Sequence, residues 1–176
     1  LDVPSMTRGV QTPRKESIEL TTWILSASTE EGSSALPETL TQVVSALREA
    51  FRFKSYTLLA ADVVRTLSGQ SFTTTGNAMP PQSKLASRMV ASYEQRAIEA
   101  RVEDTDASTS VRLRGFLFSM QAPYCTDPEC RSVQTSKVQV NSTFRVREGQ
   151  QVVVGQSKLD GSDKSLILIV SAKVVD

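Results

Sequence analysis

Apolar and polar residues alternate one by one along much of this chain, most clearly near its end. Val138, Val140, Phe144 and Val146 alternate with polar partners, Glu148-Gly149 punctuates the run, and Val152-Val153-Val154 follows. Asp160-Gly161 then supplies a turn before the apolar run from Leu166 to Val175. Period-two alternation cut by Gly and Asp turns predicts three consecutive strands. Glu16 to Ala27 predicts another, with Ile18, Leu20, Thr22 and Ile24 on one side and Thr21, Trp23, Leu25 and Ala27 on the other. Both sides are apolar from Thr22 onward, as expected of a central strand covered on both faces. One stretch has a different period. Leu36, Leu40, Val43, Val44, Leu47 and Phe51 recur at helical spacing and predict a helix over Pro37–Phe51. Pro37 and Glu38 suit its first turn, and Arg48, Arg52 and Lys54 suit the negative end of its dipole.

The middle of the chain is less regular. Over Ser55–Thr66, Tyr56, Leu59, Val63 and Leu67 form a helical stripe, whereas Thr57, Val63, Val64 and Thr66 favour a strand. With Ser68-Gly69 as a turn before the β-prone Ser71–Thr75, a hairpin is expected. Gly76 to Ser83, containing Pro80-Pro81, reads as loop. Lys84 to Arg101 has helix-favouring composition. It nevertheless leads through Glu103–Ser110 into the strand pattern Val111–Met120, so Ser92–Val102 is expected to be a strand paired across a long loop. Within Val111–Met120 the apolar set shifts from Val111 and Leu113 to Phe116 and Phe118, and Gly115 at the shift predicts a bulge. Gln121 to Ser136 reads as loop. The first 15 residues, with Pro4, Gly9 and Pro13, read as a flexible leader. The expected architecture is α+β: a single domain over 16–176, mainly antiparallel β-sheet, with the helix of 37–51 packed on a sheet containing strands 16–27 and 138–175.

Composition narrows the function. Hydrophobic content of 39% and charged content of 22% over 176 residues are globular values. A net charge of +1 gives no long-range pull toward nucleic acid or anionic lipid. The longest apolar stretch, Leu166–Val170, is strand-sized and far from the roughly 18–20 residues of a membrane-spanning helix. The chain does not begin with Met, so a mature or trimmed piece is expected, with any membrane attachment residing in a preceding segment.

Candidate chemistry is sparse. The chain has no His, which removes the commonest general base and the Ser-His-Asp and Cys-His arrangements. No S-x-x-K, G-x-S-x-G or phosphate-loop motif is present. No catalytic residue and no cofactor is therefore expected. Cys125 and Cys130 are the only cysteines. Two thiolates without His fall short of a zinc site, and the spacing is not that of a redox C-x-x-C pair. A small disulfide-closed loop is the simplest reading and implies an oxidising compartment; two free thiols are the alternative. Glu103, Asp104, Asp106 and Ser108, or Asp160 and Asp163, could approach a calcium ion, but neither set has the full ligand ladder, and acidic turn residues are ordinary loop chemistry. Arg112 and Arg114 share one face of a strand, and Arg145 and Arg147 share a face of another. On neighbouring strands they would form a patch for an anion or a protein partner; the plainer reading is a solvated strand face or edge protection. Leu36-Pro37-Glu38-Thr39 begins like a sortase signal, but Leu40 stands where Gly is required. The sequon Asn141-Ser142-Thr143 falls inside a predicted strand.

The terminal segment Arg147–Asp176 resembles the end of the secretin-type β-domain of bacterial outer-membrane secretion proteins. The matching positions are Glu148, Gly149, Gln150, Val152 to Gly155 and Leu166 to Val170. Gln156 stands where that pattern has a second Gly, no Pro follows the last apolar run, and the connection is short for a gate hairpin. The resemblance implies a bacterial envelope protein with an antiparallel sheet and does not imply a pore. The expected function is a non-catalytic, exported envelope domain (periplasm or cell envelope) with a structural, assembly or adhesion role, working through a protein partner or self-association. A secretin-like subunit or accessory module and a small-molecule-binding domain are the alternatives.

Overall fold

The alternation in the first strand is used in full. In the computed structural model, which describes residues 16–32, 35–159 and 163–175, strand β1 (Ser17–Ser28) buries Ile18, Leu20, Thr22 and Ile24 on one side. Leu25 and Ala27 are buried in a separate cluster on the other side. From Ile24 to Ala27 both faces of β1 are buried, and the ladder with β2 shifts register between Ile24 and Leu25, where Leu59 of β2 is the extra residue. β1 is a central strand. It pairs antiparallel with β2 (Ser55–Leu67) on one edge and with β8 (Ser165–Val175) on the other, and β7 (Gln151–Lys158) adds to β8. The order of this first sheet is β2-β1-β8-β7.

A second antiparallel sheet has the order β3-β4-β5-β6, built from β3 (Gln70–Ala78), β4 (Ala91–Asp104), β5 (Thr109–Cys125) and β6 (Val133–Arg147). Its inner face (Ala97, Leu113, Phe116, Phe118, Val138 and neighbours) meets Ile18, Leu20, Ile24, Leu166 and Leu168 of the first sheet in one apolar core. Apolar area removed from water there supplies the main driving force for packing, at about 25 cal/mol per Å². The helix covers the opposite face of the first sheet. A 3-10 turn (Glu38–Leu40) leads into α1 (Thr41–Ala50). Leu40, Val44 and Leu47 pack with Leu25, Ala27, Phe53, Tyr56, Ile167 and Ile169. Phe53 and Tyr56 meet edge to face at 6.4 Å, a favoured aromatic arrangement.

The predicted α+β, mainly antiparallel architecture with one principal helix is the observed one. Ser55–Thr66, which reads both ways, is strand, and so is Ser92–Val102 despite its helix-forming composition. Tertiary pairing overrides local propensity in both places. Four expectations need correction. Strands 16–27 and 138–175 do not share one sheet, because β6 pairs with β5 while β7 and β8 join β1. The crossing is made at Glu148–Gln150, where Gly149 takes φ +80° and Gln150 N–H bonds to the Arg147 carbonyl. β2 and β3 are connected by Ser68-Gly69 but do not form a hairpin ladder. The turn straddles both sheets instead: Ser68 N–H donates to the Glu16 carbonyl and Gly69 N–H to that of Ala100. The expected loop of 121–136 is shorter, because β5 runs to Cys125 and β6 starts at Val133. The connection expected to be long between β4 and β5 is a tight turn at 105–108, closed by reciprocal backbone bonds between Thr105 and Ser108. The leader of residues 1–15 and the Asp160-Gly161 turn lie outside the described residues.

Gly115 occupies the position the shifted pattern predicts. Inward positions are Val111 and Leu113 before it, and Phe116, Phe118 and Met120 after it. The ladder with β6 shifts between Leu113 and Phe116, and Gly115 takes φ +61°. The extra residue of a bulge is what lets the strand change which parity faces the core.

Candidate functional site

The outer faces of the two sheets differ. That of the first carries α1; on that of the second, among the described residues, strand side chains are left facing solvent. The arginines identified from sequence lie there, at the end next to the β4–β5 turn. Arg112 and Arg145 are direct cross-strand partners, and Arg112 is also opposite Arg101 of β4, so three guanidinium groups form a row over three strands. Like charges set opposite one another repel. The repulsion is offset by Glu103, whose carboxylate lies 2.5 Å from Arg145 and 3.8 Å from Arg112. Glu99 pairs with Arg101 at 2.9 Å. Arg114 lies opposite Glu99 in register, and Arg147 opposite Ser110. The structure thus brings all four predicted arginines to one face, and adds Arg101, Glu99 and Glu103, which the sequence pattern did not single out. Asp104 accepts a hydrogen bond from Thr109 at 2.7 Å. Among the described residues no group of three or more Cys, Asp or Glu converges as a metal site, and Asp160 lies outside them.

The two cysteines are at the opposite end of this sheet. Cys125 closes β5, and its sulfur is bonded to that of Cys130, with Cα atoms 4.8 Å apart. Cys130 takes φ +56°, a left-handed conformation uncommon for a residue with a Cβ. The loop is fastened to the β3–β4 connection: Gln82 Oε1 accepts from Cys125 N–H at 2.7 Å, and Lys84 Nζ donates to the Pro128 carbonyl at 3.0 Å. Lys164 Nζ donates to the Pro81 carbonyl at 2.8 Å, bringing in the β7–β8 connection. These groups surround a hollow of about 400 Å³. A groove of about 1000 Å³ runs between α1 and the β6–β7 turn, past Trp23, Val43, Glu148 and Lys173.

A polar chain crosses the core between the sheets. Thr22 Oγ1 donates to Gln95 Oε1 at 2.9 Å, and Gln95 Nε2 donates to Asp62 Oδ2 at 2.8 Å. Thr22 and Gln95 are each 1% exposed. Burial pushes the Tyr93 hydroxyl above its usual 10.0, and the adjacent Asp62 carboxylate, which accepts its hydrogen bond, pushes it further the same way. Tyr56 is likewise raised by burial, with Arg48 pulling in the opposite direction. This chain of groups was legible only as two oddities: a Gln on the inward parity of β4 and an Asp within an apolar run.

The four outermost strands, β2 and β7 in one sheet and β3 and β6 in the other, each pair along one side only. β6 runs for 15 residues and β2 for 13. Their outward backbone N–H and C=O groups belong to no ladder among the described residues, which makes them templates for a further strand.

No protein-family model matches the chain, and no curated protein matches its sequence. Solved structures do. The fold is similar to that of a type II secretin. GspD from enteropathogenic Escherichia coli superposes with a TM-score of 0.52 at 8% identity, over 93% of this chain and 70% of that one. The Klebsiella pneumoniae type II secretion system outer membrane complex of PulD, PulS and the PulC HR domain gives a TM-score of 0.49 at 12% identity, over 93% of this chain and 41% of that one. The secretin XcpQ of Pseudomonas aeruginosa gives 0.47 at 13% identity, over 96% and 61%. At such identities the likeness is one of fold.

Proposed function

We propose that this chain is a non-catalytic assembly domain of a bacterial cell envelope, a secretin-like subunit or accessory module that works by associating with copies of itself. The observation that carries the reading is the pair of long outer strands, β6 and β2, one on each sheet. Edge strands of that length are normally shortened, covered or heavily charged in a protein that stays alone. Backbone hydrogen bonding along such edges joins one subunit to the next while every side chain keeps its face. The fold likeness to GspD over 93% of the chain supports the same reading and agrees with the strand grammar of Arg147–Asp176. An exported location follows from that grammar and from the Cys125–Cys130 bridge, which persists in oxidising compartments. The absence of His leaves the chain without the usual proton shuttle.

Multi-angle light scattering on the purified chain across a range of concentrations tests the proposal. Masses that climb to a closed multiple of the subunit support it. A mass fixed at that of one chain at every concentration refutes it.

A further inference from the structure

We propose that the outer face of the β3–β6 sheet docks an extended, carboxylate-rich segment of a partner protein, gripped by Arg101, Arg112, Arg114, Arg145 and Arg147. The docking surface is the face of the sheet and is separate from the strand edges invoked for self-association. Five arginines gather there against Glu99 and Glu103. The chain as a whole has a net charge of only +1. That combination gives a local, short-range field and little general attraction for a polyanion.

The face already holds one ligand of the proposed kind. The Glu103 carboxylate lies between Arg112 and Arg145 and contacts both. Guanidinium groups favour carboxylates through paired N–H donors. Arg114 and Arg147 lie two residues along their strands from the Arg101–Arg112–Arg145 row, on opposite sides of it, and neither has an acidic partner in an ion pair among the described residues. Their charge is available. Side chains on one face of a strand recur about every 6.6–6.8 Å, twice the rise per residue. An extended peptide has the same period, so alternate carboxylates on it keep step with Arg112 and Arg114, or with Arg145 and Arg147.

The test uses the intact protein and a fluorescent synthetic peptide alternating Glu with Ser, followed by anisotropy at low ionic strength. The double reversal Arg114→Glu with Arg147→Glu is expected to weaken binding about tenfold or more. Glu103→Gln, which frees Arg112 and Arg145 from their internal partner, is expected to tighten it severalfold. Both changes lie on exposed or half-exposed side chains, and unchanged circular dichroism confirms that each variant is folded. An affinity that ignores the double reversal, or a Glu103→Gln variant that binds no better than the parent, overturns the proposal. Inorganic polyphosphate binding as tightly as the peptide also overturns it, by showing a general polyanion patch.

Discussion

Replacing Gly115 by Ala probes the point where β5 changes the parity that faces the core. Two costs are expected. The residue sits at φ +61°, and an L-residue in that region loses roughly 1–2 kcal/mol. The new Cβ would also lie 2.6 Å from Ile98 Cδ1 and 2.9 Å from its Cγ1. Ile98 is 63% exposed, so it can swing away, at about 0.5–1.5 kcal/mol for leaving its rotamer. Reduced unfolded-state entropy returns about 0.4–1 kcal/mol. The net expectation is about 1–2 kcal/mol of lost stability, or a fall in Tm of roughly 2–8 °C for a chain of this size. Urea unfolding followed through the single tryptophan, Trp23, measures it. The double variant separates the two terms: with Ile98→Ala in place, the rotamer cost disappears and Gly115→Ala should cost about 1 kcal/mol less than in the parent. A Gly115→Ala cost under about 0.3 kcal/mol would refute the positive-φ argument, and an Ile98 background that makes no difference would refute the clash.

Further predictions concern the core, the tyrosines and the bridge. Gln95→Leu strands the buried Thr22 hydroxyl and removes one hydrogen bond from the half-buried Asp62 and should cost about 1–3 kcal/mol; Thr22→Val added to it should cost less than the sum of the two single changes, measured by the same unfolding assay. For Tyr93 the folded-state pKa is raised above 10.0, so the neutral hydroxyl's contribution is complete below about pH 10 and is lost as pH rises through the folded value. Stability curves should therefore fall above pH 10, and less steeply in Tyr93→Phe; equal slopes would remove Tyr93 from the alkaline loss. Replacing Cys125 and Cys130 by Ser opens a loop of about six residues, for which the chain-entropy relation gives about 2 kcal/mol. Thiol titration under denaturing conditions should find no free sulfhydryl in native material and two after reduction.

Much of this fold can be read from residue order, and the exceptions share a cause. β1 and α1 show their period directly, because each lies against the core with a regular side or stripe, and β8 is legible as a strand-length apolar run buried on both faces. The Gly115 bulge is equally plain, since nothing else lets Leu113 and Phe116 both turn inward. What cannot be read is which strands are partners. Ser68-Gly69 looks like a hairpin turn, and only the bonds to Glu16 and Ala100 show that it passes between sheets. The strand character of Ala91–Asp104 depends on its neighbours β3 and β5, because Ala, Arg, Glu and Gln alone favour helix. The arginine face behaves in the same way. Its residues could be named from spacing on two strands, but their meeting depends on the β5–β6 register, and Glu103 belongs to a third strand.

The claim with the widest consequences is that the outer strands pair with those of another copy. Hydrogen–deuterium exchange of the backbone amides in β6 and β2, recorded over increasing protein concentration, reports on those bonds directly. Outward-facing amides of these strands should exchange quickly in dilute protein and become protected as concentration rises, while the amides of β1 and β5 stay protected throughout. Exchange of β6 and β2 that is the same at every concentration would contradict it.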